Sequence, residues 1–114
     1  MDKLLAAIDD LGVKGVELLA LVSDTSYDVV FYANVDGKKI QSNSLAENGA
    51  IELGRLADFY AKVAEIVRGD PAYDATALNV VNVDSQRHVS INKESIDCRV
   101  YAIKKNWRAK VLGS

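Results

Sequence analysis

One stretch of this chain, Ile51–Arg68 (IELGRLADFYAKVAEIVR), repeats its apolar residues at intervals of three and four, while almost every other periodic segment alternates with period two. Ile51, Leu56, Phe59, Tyr60, Val63, Ile66 and Val67 form the apolar side of a helix; Glu52, Arg55, Asp58, Lys62 and Glu65 form its wet side. Asp58 precedes Lys62 by four residues, the orientation that supports an exposed helix. Gly69-Asp70-Pro71 predicts the stop, with Gly69 as a left-handed cap and Pro71 unable to continue the ladder. A single long amphipathic helix among strands buries its apolar stripe by covering a sheet, so the expected class is α+β.

The flanking segments fill in that frame. Asp2–Leu11 reads as a short helix with Leu4, Leu5, Ile8 and Leu11 on one side, broken by Gly12 and Gly15. Val16–Val22 (VELLALV) is apolar on both faces, as an interior strand is. Tyr27–Val35 alternates, placing Tyr27, Val29, Phe31, Ala33 and Val35 on one face and Asp28, Val30, Tyr32 and Asn34 on the other. Asp36-Gly37 is a strong hairpin signal leading into a return strand, Lys38–Ser42. Ser44-Leu45-Ala46-Glu47 matches a capping box, so a helix is expected to start near Ser44 and weaken at Asn48-Gly49.

Thr76–Val83 and His88–Asn92 read as strands joined by the loop Asp84–Arg87, with Val89 and Ile91 inward. Glu94–Leu112 spaces Ile96, Val100, Ile103, Trp107 and Val111 as a terminal helix does. Short hairpin loops make neighbouring strands antiparallel. The expectation is one domain over residues 1–114: an antiparallel sheet of four to five strands with two or three helices packed on one face.

Composition narrows function mainly by exclusion. The chain is long enough for one core, and no apolar run approaches the ~18 residues that span a bilayer. The N-terminus has acids among its apolar residues and does not read as a signal peptide. With one cysteine, Cys98, an internal disulfide is excluded and a cytoplasmic location is the simplest expectation. His88 is the only histidine, so a multi-histidine metal site is excluded; it reads as a solvated ring beside a turn, and Cys98 as a small buried apolar residue. The glycines form neither a P-loop nor a dinucleotide fingerprint. The sequence thus predicts a non-enzyme with no cofactor and no metal.

Charge is unevenly placed. Residues 1–97 hold all 16 acidic residues against nine basic ones, a balance of −7; residues 98–114 hold five basic residues and no acid. An acidic body disfavours nucleic acid and favours a basic protein partner. The basic end has a bland reading as cations at the last turns of a helix. Phe31, Phe59 and Trp107 fall on apolar stripes and are expected in the core, whereas Tyr32 and Tyr73 are candidate interface anchors. Asp24, Asp28, Asp36 and Glu47 fall on one side of the hairpin region by sequence, and a patch there is the candidate contact surface.

The order of elements and several local patterns resemble the YezG-like family of immunity proteins, the antitoxins encoded beside polymorphic secreted toxins. The patterns are VELLALV, the aromatic strand Tyr27–Tyr32, the long helix followed by LNVVNVDSQRHVSIN, and the closing Trp107–Gly113 segment WRAKVLG. The chain departs from the family where an aspartate- and tyrosine-rich run is usual and Ile91–Asp97 (INKESID) stands, and in its more basic Arg99–Lys110. The resemblance implies a cytoplasmic protein that binds and neutralises the catalytic domain of a cognate toxin, a nuclease in many cases. Such a site is basic because it holds phosphates, and carboxylates can stand in for them. Asp24, Asp28, Tyr32, Asp36, Glu47 and Asp74 are the expected toxin contacts. The alternative is another protein-binding module or a homo-oligomeric scaffold without catalysis.

Overall fold

The computed structural model describes residues 1–97 and 99–113. Its elements are helix α1 (Asp2–Asp10), strands β1 (Lys14–Val22), β2 (Tyr27–Val35) and β3 (Lys38–Gln41), helices α2 (Ser42–Glu47) and α3 (Leu53–Arg68), strands β4 (Leu78–Val83) and β5 (Val89–Glu94), and helix α4 (Val100–Gly113). The five strands form one antiparallel sheet in the order β3-β2-β1-β4-β5. The expected α+β class holds. Helices α1, α2 and α3 pack on one face, and α4 lies on the other.

The central place of β1 explains its sequence. Leu18, Ala20 and Val22 point into the core under α1 and α3, together with Val29, Phe31, Ala33, Val81 and Val83. Leu19 and Leu21 point the opposite way, to a second core with Val30, Tyr32, Leu78, Trp107 and Val111. A strand buried on both faces cannot alternate apolar with polar. Phe31, fully buried, meets the Phe59 ring edge-on with centroids 5.5 Å apart, which ties β2 to α3. Tyr32 and Trp107 pack at 5.6 Å and tie β2 to α4.

Turn chemistry sets the register. Asp36 and Gly37 both take positive φ, 52° and 81°, as a two-residue hairpin between right-twisted strands requires. The pairing of β1 with β2 shifts between Lys14 and Glu17, and Gly15 sits at that irregularity with φ +63°. A Cβ there would lie 2.9 Å from the Asn34 Cβ, so glycine is required for the backbone as well as for the space.

Several local expectations are corrected. Gly69 caps α3 in the right-handed region (φ −87°), its N–H donating to the Glu65 carbonyl and the Asp70 N–H to the Val67 carbonyl, so no left-handed cap forms. The Ser44–Glu47 box does not cap: α2 starts at Ser42, with Gln41 at the cap position, because Ser42 is drawn inside. Its Oγ accepts from the Tyr60 hydroxyl at 2.6 Å and from the Phe31 amide. The terminal helix starts at Val100, not Glu94, because β5 continues to Glu94 in pairing with Leu78. Ile96 therefore lies outside the helix and is about half exposed. The expectation for Cys98 lies outside the described residues, as does Ser114.

The second core rests on Trp107, which is 7% exposed. Trp107→Ala is expected to cost about 3–5 kcal/mol of unfolding free energy. Leu112→Ala, on the same helix but 50% exposed, should change it by no more than about 0.5 kcal/mol. Urea denaturation of the two variants measures both.

Candidate functional site

Three of the expected contacts meet at one end of the sheet, where the β1–β2 turn faces the α3–β4 loop. Asn79 builds this end. It is fully buried; its Nδ2 donates to the carbonyls of Val22 (3.2 Å), Asp74 (2.8 Å) and Ala77 (3.2 Å), while its Oδ1 accepts the Asp74 amide at 2.9 Å. One side chain thus satisfies the backbone of a loop that has no ladder of its own. Arg68, at the end of α3, holds the other loop by donating to the Ser23 carbonyl (2.7 and 3.1 Å) and the Ser26 carbonyl (3.3 Å), with its guanidinium 5.8 Å from the Tyr27 ring centre.

On this platform Asp24 accepts the Tyr73 hydroxyl at 2.8 Å. Partial burial, then the bond to Asp24, raises the pKa of Tyr73 above its ordinary value. Asp74 accepts the Thr76 hydroxyl (2.6 Å) and amide (2.9 Å), and those bonds, the hydroxyl first, hold its carboxyl below the usual range. Asp24 is exposed and Asp74 partly so. Asp28 is at the same end, but its carboxylate pairs with Lys104 of α4 at 2.7 Å.

The structure does not bring all six residues together. Asp36 occupies the β2–β3 turn, at the far end of a nine-residue strand, roughly 26 Å from Asp28 by strand rise. Glu47 is exposed at the end of α2. The single hairpin patch read from the sequence is therefore split. Tyr32 is 6% exposed beneath Trp107 and so lies in the core. Its strand face looked mixed in sequence, and α4 covers it.

A second acidic feature lies on the helical face. Antiparallel α1 and α3 leave a groove of about 980 Å³ floored by Ala6, Ala7, Ala61 and Ile66. Asp2 and Asp10 of α1 and Asp58 and Glu65 of α3 line it, together with Asp70, Lys3 and Lys62. Among the described residues, none of those four carboxylates has an ion-pair partner, whereas Asp9 pairs with Arg87 (2.6 Å), Glu17 with Lys39 (3.2 Å) and Asp28 with Lys104. The groove was missed in sequence. Its only trace there is the spacing of seven or eight residues that puts Asp2 with Asp10, and Asp58 with Glu65, on one side of each helix.

His88 is exposed, with its Nδ1 3.2 Å from Asp84 Oδ2. Asp84 lies below the ordinary carboxylate range, chiefly because it accepts the His88 amide. Ser90 lines the same hollow between β5 and α4, yet makes no hydrogen bond to the imidazole. Among the described residues no group of three or more His, Cys, Asp and Glu is arranged to hold a metal ion. No helix among them is long and apolar enough to cross a membrane. Comparison of the chain with models of protein families, with curated proteins and with solved structures finds no match.

Asp9, Asp74 and Asp84 all have pKa values lowered from 3.8 in the fold. A carboxyl whose folded pKa is depressed contributes stability above its unfolded pKa and loses it as pH falls through the folded value. Chemical denaturation should therefore show stability declining from about pH 5 downward. Asp74→Asn should flatten that decline and lower the neutral-pH midpoint, because the contribution it removes is present above the unfolded pKa.

Proposed function

We propose that this chain is an immunity protein of the kind its sequence patterns resemble, binding the catalytic domain of a cognate toxin and blocking its substrate site. The observation that carries the reading is the platform at the β1–β2 end of the sheet. Asp24 and Asp74 stand there on loops fixed by Asn79 and Arg68, with their carboxylates turned to solvent or to neutral donors. Carboxylates held in this way lose little freedom on binding, so their attraction for a basic site is not spent on ordering loops.

A nuclease is the toxin class that such a surface suits. Its site holds phosphates with lysine and arginine, and fixed carboxylates occupy the same positions with the same sign of charge. The acidic balance of residues 1–97 steers the encounter. Asp24 and Asp74 form the centre of the proposed contact, with Tyr73 between them as an amphipathic anchor. Asp28 contributes less, because Lys104 already neutralises it. Asp36 and Glu47 enter only if the toxin wraps around the sheet edge.

The test is to co-express the chain with the toxin domain encoded beside it, purify the pair, and measure toxicity and affinity. Wild type should form a 1:1 complex and abolish toxicity. The Asp24→Lys, Asp74→Lys double variant should bind at least about tenfold more weakly. Raising the salt should slow association more than it speeds dissociation. A toxin domain that stays active and unbound in the presence of the folded wild-type chain rejects the proposal.

A further inference from the structure

Exposed apolar side chains are concentrated around α4. Of the seven large hydrophobic residues left exposed among the described residues, four are Ile96, Val100, Tyr101 and Leu112. Tyr101 (77% exposed) and Leu112 (50%) share a stripe with Lys105 and Arg108, at intervals of four, three and four. Ile103, Trp107 and Val111 face the sheet instead. Neither Lys105 nor Arg108 has an ion-pair partner among the described residues, in contrast to Lys104. The helix-end account of the basic segment covers Lys110, which lies in the last turn, and leaves Lys105 in the middle of the helix unexplained. An aromatic residue and an arginine on one unpartnered helical stripe have the composition of an interface centre.

The groove between α1 and α3 has the complementary chemistry. Its acids Asp2, Asp10, Asp58 and Glu65 have no ion-pair partner among the described residues and outnumber its lysines, Lys3 and Lys62, and Ala6 and Ala61 along it let another helix approach closely. From Asp2 to Asp10 the groove runs roughly 12 Å at helical rise. That is about two turns, room for the Lys105–Arg108 pair and one flanking apolar residue. Groove and stripe lie on opposite faces of the sheet, so they cannot meet within one molecule.

We infer that the chain assembles head to tail, with the α4 stripe of one copy seated in the α1–α3 groove of a second copy. Charge selects this occupant. The stripe needs an acidic surface with room for a helix, and the chain itself carries one. A polyanion such as nucleic acid would be repelled by the acidic balance of residues 1–97. The contact is heterologous: every copy has one groove and one stripe, so association continues into chains or closes into a ring. It uses neither Asp24 nor Asp74, so it stands apart from the toxin contact.

Sedimentation at low ionic strength, from about 1 μM to 1 mM, tests it with two charge-reversed variants. One is Asp58→Lys with Glu65→Lys, which removes the groove; the other is Lys105→Glu with Arg108→Glu, which removes the stripe. All four positions are exposed or at the surface, and circular dichroism and urea midpoints confirm that the variants fold. The wild-type chain should show mass rising with concentration, weakened at least tenfold in high salt. Each variant alone should be monomeric. Mixed together, the two variants should recover association, because each retains the half-site that the other lacks and the two reversed surfaces are themselves of opposite charge. Wild type that stays monomeric throughout the range overturns the inference, whether or not the stripe then retains the protein on a polyanionic column. So does a pair of variants that fails to combine, or a stripe variant that still self-associates.

Discussion

The burial of β1 on both faces is the condition from which the rest of the structure follows. Leu18, Ala20 and Val22 on one side and Leu19 and Leu21 on the other are all within a few per cent of full burial. No single layer of helices can achieve that. The sheet must be roofed twice, by α1 and α3 above and by α4 below, and the two cores share only the backbone of the strands between them. Each roof has its own aromatic tie to β2, through Phe31 to Phe59 on one side and through Tyr32 to Trp107 on the other. Burying both faces of a central strand removes far more apolar surface from water than a one-sided sheet of this length could.

Polar groups are placed by the same economy. At the end of the sheet where the strands run out, backbone donors and acceptors lose their ladder, and two side chains from other elements replace it. Asn79 does so from within β4 and Arg68 from the end of α3. The loops they hold carry Asp24 and Asp74. Rigidity there is a by-product of satisfying buried backbone groups, and it leaves carboxylates fixed in position at the surface. Acids elsewhere follow two patterns. Asp9, Glu17 and Asp28 are answered by cations from distant parts of the chain, whereas Asp2 and Asp10 of α1 and Asp58 and Glu65 of α3 have no ion-pair partner among the described residues. The charge imbalance of the sequence is therefore partly cancelled within the fold and partly retained along one groove.

Local pattern carried most of the architecture. The limits of β2 coincide with the alternation of Tyr27–Val35, the Asp36-Gly37 turn forms as its residue types require, and α3 ends at Arg68 as the Gly-Asp-Pro sequence demands. Misreadings arose where a distant residue intervened. Ser42 is taken from the end of a strand into a helix because Tyr60 and the Phe31 amide hydrogen-bond it from other elements. The start of the terminal helix moves past Glu94 because β4 offers that residue a strand partner. Of the candidate site, Asp24, Asp28 and Asp74 were named and do share one end of the sheet. Asp36 was joined to them only because it is near in sequence, and a strand of nine residues separates what a count of residues brings together.

What the residue order determined by itself is the type and succession of the elements, since helix and strand periodicity, turn residues and the doubly apolar β1 are all properties of neighbours along the chain. The tertiary structure alone decided which faces are covered and which charges are spent. Tyr32 went from candidate anchor to core because α4 folds back across its strand, and the carboxylate of Asp28 is paired with Lys104, 76 positions away. The groove between α1 and α3 came into being when two helices separated by three strands packed side by side. Burial and ion pairing depend on contacts between residues far apart in sequence, and those contacts exist only after the chain has closed on itself.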